Sequence, residues 1–221
     1  MRIIALVPAY HEAQRVGDVV RGVTAHLPCL VVDDGSGDGT AEAAEQAGAT
    51  VVRHERNAGK GAALRTGFLW ARQQGYDGVV TLDADGQHDP AAIPQFAAAA
   101  DAGADIVIGA RQDWSAHGMP WIRRMTNAVT SAIISRMARC RITDSQSGYR
   151  YVSVASYFAA SPETTSFDAE SELLIRAGRL GLRIGEVPIP TIYGTERSKI
   201  NPLPETLRFI RLFLRYAVRR T

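Results

Sequence analysis

Short apolar runs alternate with longer amphipathic segments along the first half of the chain. The apolar runs are typical of buried strands, because each ends at a polar or proline-containing turn; they span residues 3–7, 29–32, 50–52, 78–82 and 106–109. The intervening segments have the composition and length of helices and span 15–25, 40–47, 60–74 and 91–102. This alternation predicts βαβ units, and therefore an α/β fold with a mostly parallel, Rossmann-like sheet flanked by helices.

Polar, carboxylate-bearing turns follow three of the predicted strands. They begin at Pro8, Asp33 and Asp83. In open parallel sheets, ligands bind at the carboxyl ends of the strands. The sequence therefore predicts a nucleotide-sized site at this edge of the sheet.

Composition narrows the class of protein only slightly. The chain has 221 residues, of which 46% are hydrophobic, so it is long enough for one sizeable domain. A formal net charge of +2 gives no indication of nucleic-acid binding, and we expect none. Cys29 and Cys140 have no metal or redox spacing, and no export signal or membrane-spanning run is predicted. We expect a cytoplasmic protein that meets a membrane only peripherally.

The strongest local signal is the pair Asp83 and Asp85 at the end of a predicted strand. Gly86 permits the turn that would bring both carboxylates to one cleft, and Gln87 offers a further oxygen. Hard oxygen ligands suit Mg²⁺ or Mn²⁺ bridging a diphosphate. The alternative is a pair of ordinary turn-forming aspartates.

Two further turns have both a structural and a functional interpretation. Asp34 is either part of a turn that leads into the next helix or a carboxylate that binds a base or ribose. The segment around Lys60 lacks the spacing of a P-loop, but amides at the start of its helix could hold an anion.

Taken in order, these motifs resemble those of family 2 glycosyltransferases, and most of all the dolichyl- and polyprenyl-phosphate sugar (mannose or glucose) transferases. The N-terminal motifs are Pro8-Ala9-Tyr10-His11-Glu12, Asp33-Asp34-Gly35-Ser36, Asn57-Ala58-Gly59-Lys60-Gly61 and Asp83-Ala84-Asp85-Gly86-Gln87. Later similarities are Gly109-Ala110-Arg111, Arg123-Arg124, Asp144-Ser145-Gln146-Ser147-Gly148-Tyr149-Arg150, Glu186-Val187-Pro188-Ile189 and Arg197-Ser198-Lys199. The resemblance covers nearly the whole chain.

The resemblance implies a GT-A catalytic domain over residues 1–200, with a nucleotide-binding part at about 1–110 and an acceptor part at about 111–200. It implies that a divalent cation is held by Asp83, Asp85 and Gln87. It also implies a set of donor-binding residues, namely Pro8, Tyr10, Glu12, Asp34, Lys60, Asp83, Arg197 and Lys199. The donor would be a nucleotide sugar of the GDP-mannose or UDP-glucose type.

The same resemblance assigns the acceptor phosphate to Arg111 and Arg123, with Arg124 as the alternative to Arg123. The reaction implied is inverting transfer of a hexose to a polyprenyl or dolichyl phosphate, with Asp85 at the metal. A phosphate acceptor is already ionised near neutral pH, so bidentate arginines suffice to orient it. Glu172 completes the residues expected to act in catalysis, with Asp85, Arg111 and Arg123.

Two alternatives remain open from the sequence. Transfer to a hydroxyl would need a general base, for which Glu172 or Glu170 is available, although acids in a helix's first turn also suit its dipole. The second alternative is a nucleotide-sugar-binding subunit without turnover, for which a complete metal set would be superfluous.

The tail, 201–221, is expected to form a basic amphipathic helix. Four apolar residues, Leu207, Ile210, Leu214 and Val218, are expected on one side. Four arginines, Arg208, Arg211, Arg215 and Arg219, are expected on the other. Such a helix either lies on an anionic membrane or meets a membrane-protein partner, or it packs on the domain.

Overall fold

The structure, a computed structural model, describes residues 1–112, 121–190 and 202–218. The strands are β1 Ile3–Ala9, β2 Cys29–Asp33, β3 Thr50–Arg53, β4 Gly78–Thr81, β5 Ile106–Arg111, β6 Arg150–Ser153 and β7 Ile184–Ile189. The helices are α1 Val16–Thr24, α2 Thr40–Gln46, α3 Lys60–Gln73, α4 Ile93–Asp101, α5 Trp121–Ala138, α6 Val154–Ala160, α7 Asp168–Arg179 and α8 Pro202–Val218. A short 3₁₀ turn, Pro90–Ala92, leads into α4.

One sheet runs through the molecule in the order β3-β2-β1-β4-β6-β5-β7. All neighbouring pairs are parallel except those of β6, which is antiparallel to both β4 and β5. The predicted mostly parallel α/β fold is confirmed, and the five predicted strands are present. The sequence pattern indicated neither β6 nor β7, and β5 is consequently separated from β4 by an inserted strand.

The sheet is buried on both faces because its strands alternate their side chains between two cores. Along β1, Ile4 and Leu6 join the core beneath α3, α5, α6, α7 and α8, whereas Ala5 and Val7 join the core beneath α1, α2 and α4. These two layers fix the carboxyl ends of β1, β2 and β4 side by side.

Helix α8 packs on the domain through residues outside the expected apolar stripe. Leu212 and Tyr216 are 3% and 7% exposed and belong to the main core, whereas Ile210 and Leu214 are 47% and 61% exposed. The stripe residues Ile210 and Leu214 therefore do not face the core. The cause is that α8 carries apolar residues on two sides, so helical periodicity alone does not select the packed side. The side chains of residues 207 and 218 lie outside those described.

Across the three described ranges, no helix is long and apolar enough to cross a membrane.

Candidate active site

A partly buried ion-pair cluster lies where β4 ends. Lys60, the first residue of α3, places Nζ 2.7 Å from Asp83 Oδ1 and 2.9 Å from Glu170 Oε2. Burial works against the charged ammonium, but the two carboxylates outweigh it and raise the pKa of Lys60. Burial also works against the Asp83 carboxylate, yet the Lys60 charge dominates and lowers the pKa of Asp83 to about 2. Lys60 and Asp83 are therefore both charged at neutral pH.

Asp34 positions Lys60 through the loop that precedes α3. Its Oδ1 accepts from the Ala58 amide at 2.9 Å and contacts His54 Nδ1 at 2.7 Å, and its Oδ2 accepts from the Gly59 amide at 2.8 Å. The carboxylate of Asp34 is thus used to shape the loop, and the residue is only 3% exposed. In the structure the main chain donates to both carboxylate oxygens, and the expected contact of Asp34 with a nucleobase stays a prediction.

The predicted metal loop turns sharply after Asp83, as expected. Gly86 has a φ of 79°, and the Gln87 amide donates to Asp85 Oδ1 at 3.0 Å. The Asp83 amide donates to His88 Nδ1 at 3.1 Å, which anchors the loop to a buried imidazole. The predicted ligands Asp83, Asp85 and Gln87 therefore share one tight turn.

The electrostatics of this turn suit a cation. Burial raises the pKa of Asp85, and the charges of Asp83 and Glu12 raise it further. A carboxylate surrounded in this way gains stability from added positive charge. Within the described ranges, no three His, Cys, Asp or Glu side chains converge as metal ligands. Asp83 and Asp85 nevertheless have the oxygen chemistry and the charge that fit a divalent ion.

The donor residues predicted after β1 lie beside this turn. Pro8 belongs to β1 and is paired in register with Val32 of β2, while Tyr10 is 41% exposed and stands edge-on to the His11 ring. Glu12 is buried, binds Arg15 Nη1 at 3.2 Å, and is the acid whose charge acts on Asp85. The carboxyl ends of β2, β1 and β4, which are neighbours in the sheet, thus carry the predicted donor and metal residues side by side.

Arg111, at the end of β5, is held by a buried carboxylate. Asp144, only 1% exposed, accepts from Arg111 Nε at 2.7 Å and from Arg111 Nη2 at 2.9 Å. The Arg111 amide adds a bond to Asp144 at 3.2 Å, and Asn127 Nδ2 of α5 adds another at 3.0 Å. Burial opposes the charge of Asp144, but Arg111 outweighs it and lowers the pKa of Asp144. The guanidinium is therefore fixed in one plane before any ligand arrives.

Arg150 is a site residue that the sequence analysis quoted in a motif but gave no role. It is 2% exposed and donates to three main-chain carbonyls: Ser147 from Nε, Glu170 from Nη1 and Ser145 from Nη2, each at 2.8 Å. This side chain ties the loop before β6 to the helix that carries Glu170. Its signal in the sequence was an arginine at the start of a strand that should be apolar.

Gly148 brings that loop against the ion-pair cluster. A Cβ at this position would lie 2.8 Å from Asp83 Oδ2 and 3.0 Å from Lys60 Nζ, so only glycine fits. Thr81 Oγ1 of β4 donates to the Gly148 carbonyl at 2.8 Å and holds the approach.

Glu172 does not join the cluster in which Glu170 lies. It is fully buried and accepts from the amides of Glu163 and Thr164, both at 2.8 Å, and from the Tyr216 hydroxyl of α8 at 2.7 Å. Its expected role as a base at the reacting centre is therefore replaced by a structural one. The sequence could not separate the two acids, because they stand two positions apart in the same helix.

Of the remaining predicted basic residues, the structure describes the side chain of only one. Arg124 is exposed on α5, whereas the side chain of Arg123 lies outside the described residues. Arg197 and Lys199 also lie outside them.

Comparison with known proteins agrees with this fold. The model of the family described as Glycosyl transferase family 2 matches residues 4–159. The chain is 33% identical over 220 residues to a UDP-N-acetylglucosamine–dolichyl-phosphate N-acetylglucosaminyltransferase of Methanococcus voltae, covering 89% of this chain and 87% of the relative. It is 32% identical over 202 residues to an undecaprenyl-phosphate mannosyltransferase of Micrococcus luteus, covering 86% and 83%.

The fold also matches solved structures. Glucosyl-3-phosphoglycerate synthase of Mycobacterium tuberculosis, in a complex with Mn²⁺, uridine diphosphate and phosphoglyceric acid, superposes with a TM-score of 0.74. That likeness covers 98% of this chain and 77% of the other at 21% identity.

The fold and the strand-end site define a glycosyltransferase with the GT-A architecture. Because the family model spans more than half of the chain and relatives above 30% identity cover most of it, the chain belongs to glycosyl transferase family 2. The protein is a transferase enzyme.

Proposed function

We propose that this enzyme transfers a hexose, with inversion, from a nucleotide-diphosphate sugar to a polyprenyl phosphate. An oxygen of the acceptor phosphate forms the new bond to the anomeric carbon. The bond from that carbon to the donor's β-phosphate breaks, and a nucleoside diphosphate leaves with the electron pair.

The observation that carries the proposal is the bidentate pair between Arg111 and Asp144. An arginine held by a buried carboxylate keeps its orientation, and a guanidinium binds phosphate oxygens in a fixed plane. The charge of Arg111 also acts on His88, which places it close to the metal loop. An anionic acceptor is therefore favoured next to the donor diphosphate.

The two relatives support the same acceptor, since the name of each includes a polyisoprenyl phosphate. Their names differ in the sugar, so a donor of either the GDP-mannose or the UDP-glucose type fits the proposal. A nucleotide sugar and a lipid phosphate would meet at the inner face of a membrane, and we place the enzyme there as a cytoplasmic, peripheral protein.

A hydroxyl acceptor is the competing function. It would need a base, and Glu170 is the acid at the site, but its carboxylate already forms an ion pair with Lys60 at 2.9 Å. A phosphate monoester needs no base near neutral pH, because its second pKa lies at about 6.

A divalent ion, when bound by Asp83, Asp85 and Gln87, would supply positive charge to the departing diphosphate. The start of α3 and Lys60 would lie beside the same diphosphate. Arg111 would hold the acceptor phosphate in line with the anomeric carbon, and Gly148 would keep the acceptor loop close to Asp83.

The test incubates purified protein and Mg²⁺ or Mn²⁺ with radiolabelled GDP-mannose, UDP-glucose or UDP-N-acetylglucosamine. Each donor is offered either a water-soluble short-chain polyprenyl phosphate or phosphoglyceric acid. We expect transfer to the lipid phosphate with one donor, lost when EDTA removes the metal. Transfer to phosphoglyceric acid alone would show that the acceptor is a hydroxyl compound.

A further inference from the structure

Large exposed hydrophobic side chains concentrate on the first half of α5. Trp121, Ile122, Met125 and Val129 are 66%, 60%, 57% and 56% exposed. Because successive helical residues rotate by about 100°, these four side chains fall within an arc of about 100°. They form a continuous apolar stripe, which we call the outer face of α5.

The opposite side of α5 is its packed side. Asn127 and Ser131 are 5% and 3% exposed, and Ile134 and Ala138 are fully buried. The helix is therefore anchored independently of its outer face, and nothing in the core requires the outer residues to be apolar. An apolar stripe on a well-packed helix indicates a binding surface.

The charge around this stripe points to the occupant. Residues 121–142 contain five arginines, namely Arg123, Arg124, Arg136, Arg139 and Arg141, and no Asp or Glu. Arg136 is exposed and falls within the arc of the apolar stripe. Two copies of this surface would repel each other, whereas an anionic lipid surface would attract it. Tryptophan beside arginine is also the composition favoured at the boundary of a bilayer.

The outer face lies one helix thickness from the acceptor site. Asn127, on the packed side, donates to Asp144, and Asp144 holds Arg111. With a helix diameter of about 10–12 Å, a bilayer touching the outer face would present its headgroups near Arg111. We propose that the outer face of α5 docks the enzyme on an anionic bilayer and so brings a membrane-embedded acceptor to Arg111.

Helix α8 lies near the C-terminal end of α5 and also has exposed apolar side chains. Arg179 of α7 donates to the Met137 carbonyl of α5 at 3.2 Å and to the Tyr216 carbonyl of α8 at 2.7 Å, so the three helices lie side by side. Ile210 and Leu214 of α8 are exposed in the same helical layer. Helix α5 is nevertheless the main docking element, because its stripe contains more apolar residues and adjoins the acceptor site.

The first experiment measures co-sedimentation with vesicles of equimolar phosphatidylcholine and phosphatidylglycerol, or of phosphatidylcholine alone, with no polyprenyl phosphate present. We expect the wild type to bind the anionic vesicles preferentially, and Trp121→Gln with Met125→Gln to lower the partition coefficient by about tenfold or more. Arg136→Glu is also expected to weaken binding. The matched controls are Leu180→Gln, similarly exposed but at the C-cap of α7, and Arg21→Glu on α1.

Equal binding of the wild type and the α5 variant, or equal losses in the controls, would overturn the proposal. A wild-type dimer in light scattering that the α5 variant dissociates would instead make the stripe a contact between copies. Unchanged circular dichroism and melting temperature in each variant establish that the fold is intact.

The second experiment separates docking from the proposed lipid-phosphate chemistry, on which the role of this surface rests. The α5 variant should lose transfer to a long-chain polyprenyl phosphate embedded in vesicles while keeping transfer to the short-chain soluble acceptor. Equal loss with both acceptors would contradict a docking role. If the wild type used neither acceptor, the proposed function would fail, and the sedimentation result would still decide whether α5 binds the bilayer.

Discussion

Replacing Asp144 by asparagine tests whether the acceptor arginine is held in place before any ligand binds. Asp144 is 1% exposed and accepts four hydrogen bonds, three from Arg111 and one from Asn127. An amide keeps the shape but removes the charge and turns an NH₂ group towards donors. Breaking a buried ion pair costs about 3–5 kcal/mol, and the 23% exposure of the Arg111 side chain lets water offset part of this. We expect a loss of about 2–4 kcal/mol in the free energy of unfolding.

Urea unfolding followed by circular dichroism measures that loss. The control is Asp18→Asn, which breaks the exposed pair with Arg21 in α1 and should change stability by less than about 1 kcal/mol. Acceptor KM should rise for Asp144→Asn, while the donor affinity from calorimetry stays near that of the wild type. Wild-type stability in the Asp144→Asn protein would refute the claim that this carboxylate holds Arg111.

The pH dependence gives an independent check on the same pair. The folded-state pKa of Asp144 is lowered, so its contribution to stability is fully present above the unfolded pKa of about 3.9 and is lost as the pH falls through the lower folded value. The stability difference between wild type and Asp144→Asn should therefore be largest near neutral pH and shrink below about pH 4. A difference that grows on acidification would contradict the direction of the shift.

Three further substitutions test the rest of the site. Gly148→Ala should weaken Mn²⁺ binding in calorimetry, because its Cβ would meet Asp83 Oδ2 at 2.8 Å, whereas Gly37→Ala, with open space around it, should not. Asp85→Asn should abolish transfer without lowering the melting temperature, since the raised pKa shows that the Asp85 charge is unfavourable in the fold; normal turnover would remove Asp85 from the mechanism. Glu172→Gln should lower stability by about 1–3 kcal/mol and reduce kcat far less than Asp85→Asn; lost activity at wild-type stability would restore Glu172 as a base.

The sequence predicted the nucleotide-binding half well because that half is built from local signals. Each of the strands β1 to β4 is a short, mostly apolar run closed by a polar turn, and a helix follows it in the chain. The turn at Asp83 and Asp85 needed only a glycine at the right place. Such features depend on residues that are close together in the sequence, so they can be predicted from one sequence alone.

The features that the sequence did not predict depend on contacts between distant segments. Strand β6 starts with a buried arginine, so its composition did not indicate a strand, and only the carbonyls of Ser145, Ser147 and Glu170 explain Arg150. The sequence also did not show that Asp34 shapes the loop before α3, because this depends on hydrogen bonds from the amides of Ala58 and Gly59. Helix α8 has apolar residues on two sides, and contacts with distant segments decide that Leu212, and not Leu214, is buried.

The antiparallel strand β6 also has a consequence for how the chain folds. Strands β1 to β4 can assemble from consecutive βαβ units, but the free edge of β4 finds its partner only when Ser153 pairs with Gly78. Until then an apolar strand offers unpaired main-chain groups to any other extended chain. During synthesis the N-terminal half would emerge with this edge open, so docking of β6 guards against aggregation. A fragment ending before residue 150 would keep that open edge, and we expect such a fragment to aggregate.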